Sequence, residues 1–190
     1  QFNVPTSGIY GLVMGVDGNL YISDPGNKRI DVVSTSGVSM GAIGSSVFVS
    51  TQGIAVDTAG NVYVADTTGN VVREYNESGT AVTIFGTGVA GSSLGQLNHP
   101  TAVAIDSQGY VYVYDKNNSR VEVFNSSAQA LRTWTEPNEN IFQMKFDSIG
   151  YLWEVDTSHT QVPIYDTNGN LTATFGSNGS GVGQFVFIFG

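Results

Sequence analysis

Four aspartates recur at equivalent places along the chain, and their carboxylates are the side chains best suited to chemistry. They are Asp24, Asp66, Asp115 and Asp156. If they ringed one face of the molecule, their oxygens would suit Ca²⁺, which prefers oxygen ligands. Because the residue returns in every repeat, we interpret it instead as a structural acceptor for the turn that follows it. Asp24 would then pair with Arg29 and Asp115 with Arg120. The sequence predicts no cofactor, with Ca²⁺ as the one ion to consider.

The sequence gives little support for catalysis by histidine or serine side chains. The two histidines, His99 and His159, fall in non-equivalent places, whereas a histidine-bound catalytic metal needs several imidazoles at one ion. Neither has a recognisable Ser and Asp partner at a diagnostic spacing. The glycine-rich stretches 86–95 and 176–183 lack the Lys-Ser/Thr ending of a phosphate loop and precede strands. We therefore expect a protein that is not an enzyme.

Asparagines in Asn-x-Ser/Thr sequons are candidates for N-glycosylation, on condition that the protein is exported. They are Asn76, Asn117, Asn125, Asn170 and Asn178. Asn76 and Asn125 follow the aspartate of their repeat at the same distance, in a turn between two outer strands. Glycans there would coat the rim of the molecule and shield its edge strands.

Each of the four aspartates ends a strand pattern that recurs along the chain. The stretch 60–66 reads Gly-Asn-Val-Tyr-Val-Ala-Asp, and related versions precede the other three aspartates. In this second repeat the strand segments are 53–57, 61–66, 71–76 and 81–85, bounded by turn residues. A period of about 40 to 50 residues built from short strands is typical of a propeller. The sequence predicts an all-β propeller of four four-stranded blades, almost without helix.

The repeats fill one domain, 1–190. We place the blades at about 2–44, 45–86, 98–135 and 136–176, followed by an apolar tail, 177–190. The 24 glycines and the low charged fraction, 12%, are typical of a turn-rich β protein.

Charge and composition exclude several classes of function. Seven basic against 16 acidic residues give a net charge of −9, and the basic residues form no stripe that would neutralise phosphates. No stretch approaches the roughly 18 apolar residues that span a bilayer. The chain has no cysteine, so it has neither disulfides nor thiolate metal sites. We expect no nucleic-acid binding and no membrane insertion. Because Gln1 resembles a processed or truncated start, we expect an extracellular or cell-surface protein.

One family combines these motifs. The stretch 100–106 reads Pro-Thr-Ala-Val-Ala-Ile-Asp, 109–115 reads Gly-Tyr-Val-Tyr-Val-Tyr-Asp, and an Asn-x-Arg-Val pattern follows at 118–121. This succession resembles the NHL-repeat family, and the likeness covers almost the whole chain. It departs from the pattern at Gly69 and Val71 in the second repeat and at His159 and Gln161 in the fourth. The resemblance implies a propeller that serves as a binding module, a scaffold or, in some members, a lyase or lactone hydrolase.

Propellers of that family usually close with six blades, so four blades either close by themselves or form an arc completed by assembly. The tail is relevant to these two possibilities because it contains a run of five apolar residues. They are Phe185, Val186, Phe187, Ile188 and Phe189. At the equivalent place, 97–100 reads Leu-Asn-His-Pro and 2–5 reads Phe-Asn-Val-Pro, so both have a polar residue and a proline. The tail is either a strand packed on its own propeller, a strand handed to a neighbouring molecule's sheet edge, or a truncated end.

Aromatic residues recur on the second strand of each repeat. Tyr21, Tyr63, Tyr112 and Trp153 share one slot, and we expect them in the core between blades. We expect Tyr110, Tyr114 and Tyr151 on the surface, either to stack on sugars or as scattered exposed residues.

These observations favour a secreted, glycosylated structural or interaction module. The preferred version is a self-assembling subunit of an extracellular fibre or surface layer, in which head-to-tail contacts join copies or another protein. One alternative is a propeller lyase or sugar-lactone hydrolase with a divalent cation. A second is a ligand-binding ectodomain fragment of a receptor.

Overall fold

The structure is a computed structural model, and it describes residues 8–136, 140–156 and 160–186. Within these ranges the strands form four antiparallel four-stranded sheets, each ordered as a simple meander. The predicted all-β propeller of four blades is confirmed. Blade 1 consists of β1 (Leu12–Met14), β2 (Leu20–Asp24), β3 (Arg29–Val33) and β4 (Ser39–Ile43). Blade 2 consists of β5 (Thr51–Val56), β6 (Val62–Asp66), β7 (Val71–Tyr75) and β8 (Ala81–Phe85).

Blade 3 consists of β9 (Pro100–Ile105), β10 (Val111–Asp115), β11 (Arg120–Phe124) and β12 (Ala130–Thr135). Blade 4 consists of β13 (Ile141–Phe146), β14 (Leu152–Asp156), β15 (Val162–Tyr165) and β16 (Leu171–Phe175). A short parallel pair follows, β17 (Ser177–Asn178) and β18 (Gln184–Phe185). The helix content of the described residues is one 3-10 turn, Lys116–Asn118. No helix in these ranges is long and apolar enough to span a membrane.

The turn between the first two strands of a blade depends on an aspartate and a glycine. In blade 2, Asp57 Oδ1 accepts hydrogen bonds from the backbone N–H groups of Ala59 at 2.9 Å and Asn61 at 2.8 Å. Gly60 supplies the positive φ, 85°, that the turn requires. The aspartate caps the turn and so sets the register of the two strands.

The core lies between blades rather than within them. The described residues form three apolar clusters, which join blade 1 to blade 2, blade 2 to blade 3 and blade 3 to blade 4. Tyr21, Tyr63 and Tyr112 lie in these clusters as predicted, whereas Trp153 is half-buried. Among the described residues no fourth cluster joins blade 4 to blade 1. The outward faces of the first and last blades are therefore less well packed than the others.

The expectation that Tyr114 lies on the surface was wrong. Its side chain is fully buried and belongs to the cluster between blades 3 and 4. Side chains two apart on a strand share a face, so Tyr114 points to the same side as the core residue Tyr112. Tyr110 is half-buried against the same cluster, and Tyr151 is exposed.

Candidate functional site

The four recurrent aspartates end the second strand of each blade, and all four are fully buried. Asp115 shows what the position does. Its Oδ1 atom accepts from the backbone N–H of Asn98 at 2.6 Å, and its Oδ2 atom accepts from Asn118 Nδ2 at 2.6 Å and Arg120 Nε at 2.8 Å. One carboxylate thus ties the preceding linker, the following turn and the next strand together.

The same arrangement varies in blades 1 and 2. Asp66 Oδ1 accepts from the backbone N–H groups of Val49 and Ser50, both at 2.9 Å, and Arg73 Nε donates to Asp66 Oδ2 at 3.1 Å. Asp24 accepts from Asn27 Nδ2 at 2.6 Å. The predicted Asp24–Arg29 and Asp115–Arg120 pairs are both present, the first at 3.7 Å and the second at 2.8 Å.

The aspartates do not come together into one site. Asp66 and Asp115 each bind groups of their own blade and of the linker that precedes it. Asp24 binds Asn27 and Arg29 of its own blade. Across the described ranges, no three His, Cys, Asp or Glu side chains are placed to hold a metal ion. The arrangement fits the structural interpretation of these carboxylates.

The histidines are also apart from any catalytic grouping in the described residues. His99 is exposed in the linker before β9, with φ at 57°. Its backbone N–H donates to Asn70 Oδ1 at 3.1 Å, and its ring nitrogen Nδ1 lies 3.3 Å from Asn98 Oδ1. His159 lies outside the described residues.

The sequons occupy two kinds of position. Asn117, Asn170 and Asn178 are exposed. Asn76 and Asn125 are half-buried and begin the turn to the outermost strand, where the Oδ1 of each accepts backbone hydrogen bonds. Asn76, Asn125 and Asn170 lie in turns to the outermost strands, and Asn178 lies beyond blade 4 in β17. Asn117 lies in the turn between the second and third strands of blade 3.

The loop before the tail copies the linker between blades 2 and 3. In the linker, Gly91 N–H donates to Leu97 O at 3.4 Å; in the loop, Gly179 N–H donates to Phe185 O at 3.2 Å. The Phe185 ring lies 5.9 Å from the ring of Phe175 on its own propeller. Val186 is exposed, and Phe187, Ile188 and Phe189 lie outside the described residues.

Sequence reasoning missed a buried carboxylate pair between blades 3 and 4. Glu154 and Glu136 are both fully buried, and Tyr165 donates its hydroxyl hydrogen bond to Glu136 at 3.2 Å. Burial raises the pKa of Glu154 well above its ordinary value, and the nearby carboxylate of Glu136 raises that pKa further. The signal was present in the repeats, because the slot of Glu154 holds Val64 in blade 2 and Val113 in blade 3.

A cavity of about 320 Å³ lies where the innermost strands β1, β5, β9 and β13 meet. Most of its wall is aliphatic or backbone. Blade 4 contributes its polar side chains, Gln143 and Lys145, and its two phenylalanines, Phe142 and Phe146.

Comparison with known proteins supports the fold. The NHL repeat model matches residues 97–124. A comparison with curated proteins finds no match. A streptogramin B lyase structure is 15% identical with a TM-score of 0.70, over 92% of this chain and 56% of that one. Virginiamycin B lyase from Staphylococcus aureus is 11% identical with a TM-score of 0.69, over 94% and 63%. Kuenenia stuttgartiensis hydrazine synthase is 16% identical with a TM-score of 0.69, over 90% and 50%.

At these identities the likeness concerns the fold alone, and the chain spans between half and two thirds of the length of these structures. The matched stretch 97–124 runs from the linker before β9 to the end of β11, so it includes the Asp115 arrangement described above. The chain is a β-propeller of four blades, and its stretch 97–124 matches the NHL repeat model.

Proposed function

We propose that this propeller is a secreted, non-enzymatic module that assembles with further copies of itself. The apolar tail of one molecule adds as a strand to the outer edge of a blade in the next. Such head-to-tail addition does not close, so it builds a fibre or a layer.

The observation that carries this proposal is the character of the outermost strands. β4, β8 and β16 contain no charged residue and no proline, although soluble β proteins commonly place such residues on edge strands to prevent pairing. β12 differs because it carries Arg132, which donates to Thr167 O in the next blade at 2.7 Å. Three of the four rims thus lack the usual protection against strand addition.

Strand β8 offers the best edge. Val82 and Ile84 lie two apart and so share one face, and they are 54% and 51% exposed. A groove of about 270 Å³ lies between blades 1 and 2. Its apolar lining includes Ile84, Val47 and Tyr75, and its charged lining is Arg73 and Glu74. Backbone pairing with β8 would supply affinity, and apolar side chains in this groove would supply selectivity.

The tail has the composition that such an edge requires. Residues 185–189 are all apolar, with three phenylalanines and two β-branched residues, which favours a strand. Phe185 contacts its own propeller at Phe175, so it would anchor the tail while the residues after it reach the neighbour.

Electron microscopy of the purified protein tests assembly. We expect filaments or sheets for the wild type and dispersed particles for Val82→Lys, because a lysine on an edge strand opposes pairing. Val89→Lys is the matched control, since Val89 is also an exposed valine and lies in a loop. Dispersed wild-type particles at high concentration would exclude the proposal, as would equal assembly of the two variants.

A second candidate is a propeller lyase or lactone hydrolase that uses a divalent cation. The similarity in fold to streptogramin B lyase favours it. Calorimetry with Ca²⁺, Mg²⁺ and Zn²⁺ separates the two candidates, because an absence of binding by all three would remove the enzyme.

A further inference from the structure

The cavity on the propeller axis is a candidate ligand site that does not depend on assembly. Its volume, about 320 Å³, falls at the lower end of the range of small-molecule pockets, about 300 to 1,000 Å³. The exposed Leu12 and Met14 of β1 line it together with Phe146 of β13. Leu12 is 53% exposed, whereas Val103, which holds the same slot in blade 3, is 2% exposed. The cavity therefore offers apolar surface that other blades cover.

Two residues of β13 break the internal repeat inside this cavity. The slot of Gln143 holds Gly11, Gly53 and Ala102 in blades 1 to 3, and the slot of Lys145 holds Val13, Ala55 and Ala104. The first slot is normally small because the next blade presses on it. A Cβ atom on Gly53 would lie 2.5 Å from the carbonyl oxygen of Thr101. In blade 4 this restriction is absent, and a long polar side chain occupies the slot.

The two polar groups are available to a ligand. Neither Gln143 nor Lys145 makes a side-chain hydrogen bond or an ion pair within the described part of the chain. Lys145 is the one charged side chain among the described residues that line the cavity. In a protein with a net charge of −9, this is a local site for an anion.

We propose that the axial cavity binds a small amphipathic anion, namely a monocarboxylate with an apolar body. The Lys145 ammonium pairs with the carboxylate and the Gln143 amide donates to it, while the apolar body lies against Leu12, Met14 and Phe146. Departures from an otherwise consistent repeat are expected at functional positions, and both departures here present donors to the same space.

Calorimetry with three probes of equal chain length tests this site: octanoate, octan-1-ol and octylamine. We expect octanoate to bind one per chain, at least about tenfold more tightly than octanol, and octylamine to bind more weakly than either. Lys145→Gln should remove the preference for octanoate, and Lys145→Arg should keep it. Lys28→Gln, a change at an exposed lysine in the turn between β2 and β3, is the matched control and should bind as the wild type.

A second variant tests the position of the apolar body. Met14→Trp adds bulk at a half-exposed position, so we expect the protein to fold with unchanged circular dichroism and to lose octanoate binding. Equal affinities for octanoate and octanol would overturn the proposal. So would an absence of octanoate binding, or unchanged octanoate binding in either Lys145→Gln or folded Met14→Trp. Binding by the non-assembling Val82→Lys protein is expected to match the wild type, which keeps the two proposals separate.

Discussion

Arg73 donates from Nε to Oδ2 of the buried Asp66 at 3.1 Å. The separation along the chain between this aspartate and its arginine is two residues longer than the separation between Asp115 and Arg120. Side chains two apart on a strand share a face, so the guanidinium still reaches the carboxylate. Blade 2 therefore keeps the interaction despite the loss of the Asn-x-Arg pattern. The three arginine–aspartate pairs differ in burial, which makes their contributions separable.

We predict that Arg120→Gln is the most destabilising of the three arginine changes. Arg120 is 12% exposed and also binds Glu122 and the carbonyl oxygens of Ser92 and Gln96. Loss of one partner of a buried pair costs about 3 to 5 kcal/mol. Arg29 is 39% exposed, so Arg29→Gln should cost about 1 kcal/mol or less. Urea unfolding measures both, and an equal cost for the two changes would contradict the assignment.

Replacement of Glu154 by valine should stabilise the protein at neutral pH. Because burial raises the pKa of Glu154 in the folded state, its contribution to stability is full below its ordinary pKa and is lost as pH rises through the raised value. Valine, the residue in this slot in blades 2 and 3, removes that loss and is expected to add about 1 to 3 kcal/mol at neutral pH.

The measurement is the free energy of unfolding of wild type and Glu154→Val between pH 4 and 8, with Glu154→Gln as an isosteric control. The advantage of valine over wild type should grow with pH. If the difference in the free energy of unfolding between Glu154→Val and wild type stays constant or falls with pH, the ionisation of Glu154 does not destabilise the folded protein.

The hydroxyl of Tyr21 should ionise at a higher pH than that of an ordinary tyrosine. Burial raises the pKa of Tyr21 to about 12, and the hydrogen bond that it donates to Asp17 at 3.0 Å raises that pKa as well. Asp17→Asn should therefore lower the pKa of Tyr21, which an ultraviolet absorbance titration reports. Asp147→Asn is the control, because Asp147 accepts from Trp153 instead of a tyrosine. An unchanged titration of the Asp17→Asn protein would argue against this contact.

N-glycosylation should favour the exposed sequons. In a eukaryotic secretory host we expect higher occupancy at Asn178 than at Asn76 and Asn125, because Asn178 is exposed, whereas the other two are half-buried and use their side-chain oxygens in turns. Peptide mapping by mass spectrometry measures the occupancy. An unshifted mass for the secreted protein would refute the prediction, and the reverse order would refute its structural reason.

The sequence predicted the blades well because each strand and turn is specified locally. Turn aspartates, glycines and alternating apolar residues recur in register, so four sheets follow from one template. Two side-chain contacts were not predicted from the sequence, because the residue that makes each one lies two positions later than its counterpart in the other blades. Arg73 is displaced along its strand, and Asp17 takes a later place in its turn than Asp57 does, which leaves Gly15 where the first turn aspartate stands in the other blades.

The candidate sites were harder to predict because they depend on differences between repeats. Glu154, Gln143 and Lys145 stand where other blades have apolar or small residues, and an interpretation based on likeness passes over them. Tyr114 is a different case, because it lies two residues after Tyr112 and so shares the buried face of that strand.

The central claim is that the tail of one molecule lies on β8 of another, and disulfide trapping tests it most directly because the chain has no cysteine. A protein with both Val82→Cys and Val186→Cys is oxidised and run on a non-reducing gel. The account predicts a ladder of linked chains for this pair and none for Val186→Cys combined with Ile149→Cys, at an exposed turn. Absence of the ladder, or equal ladders from both pairs, would contradict it.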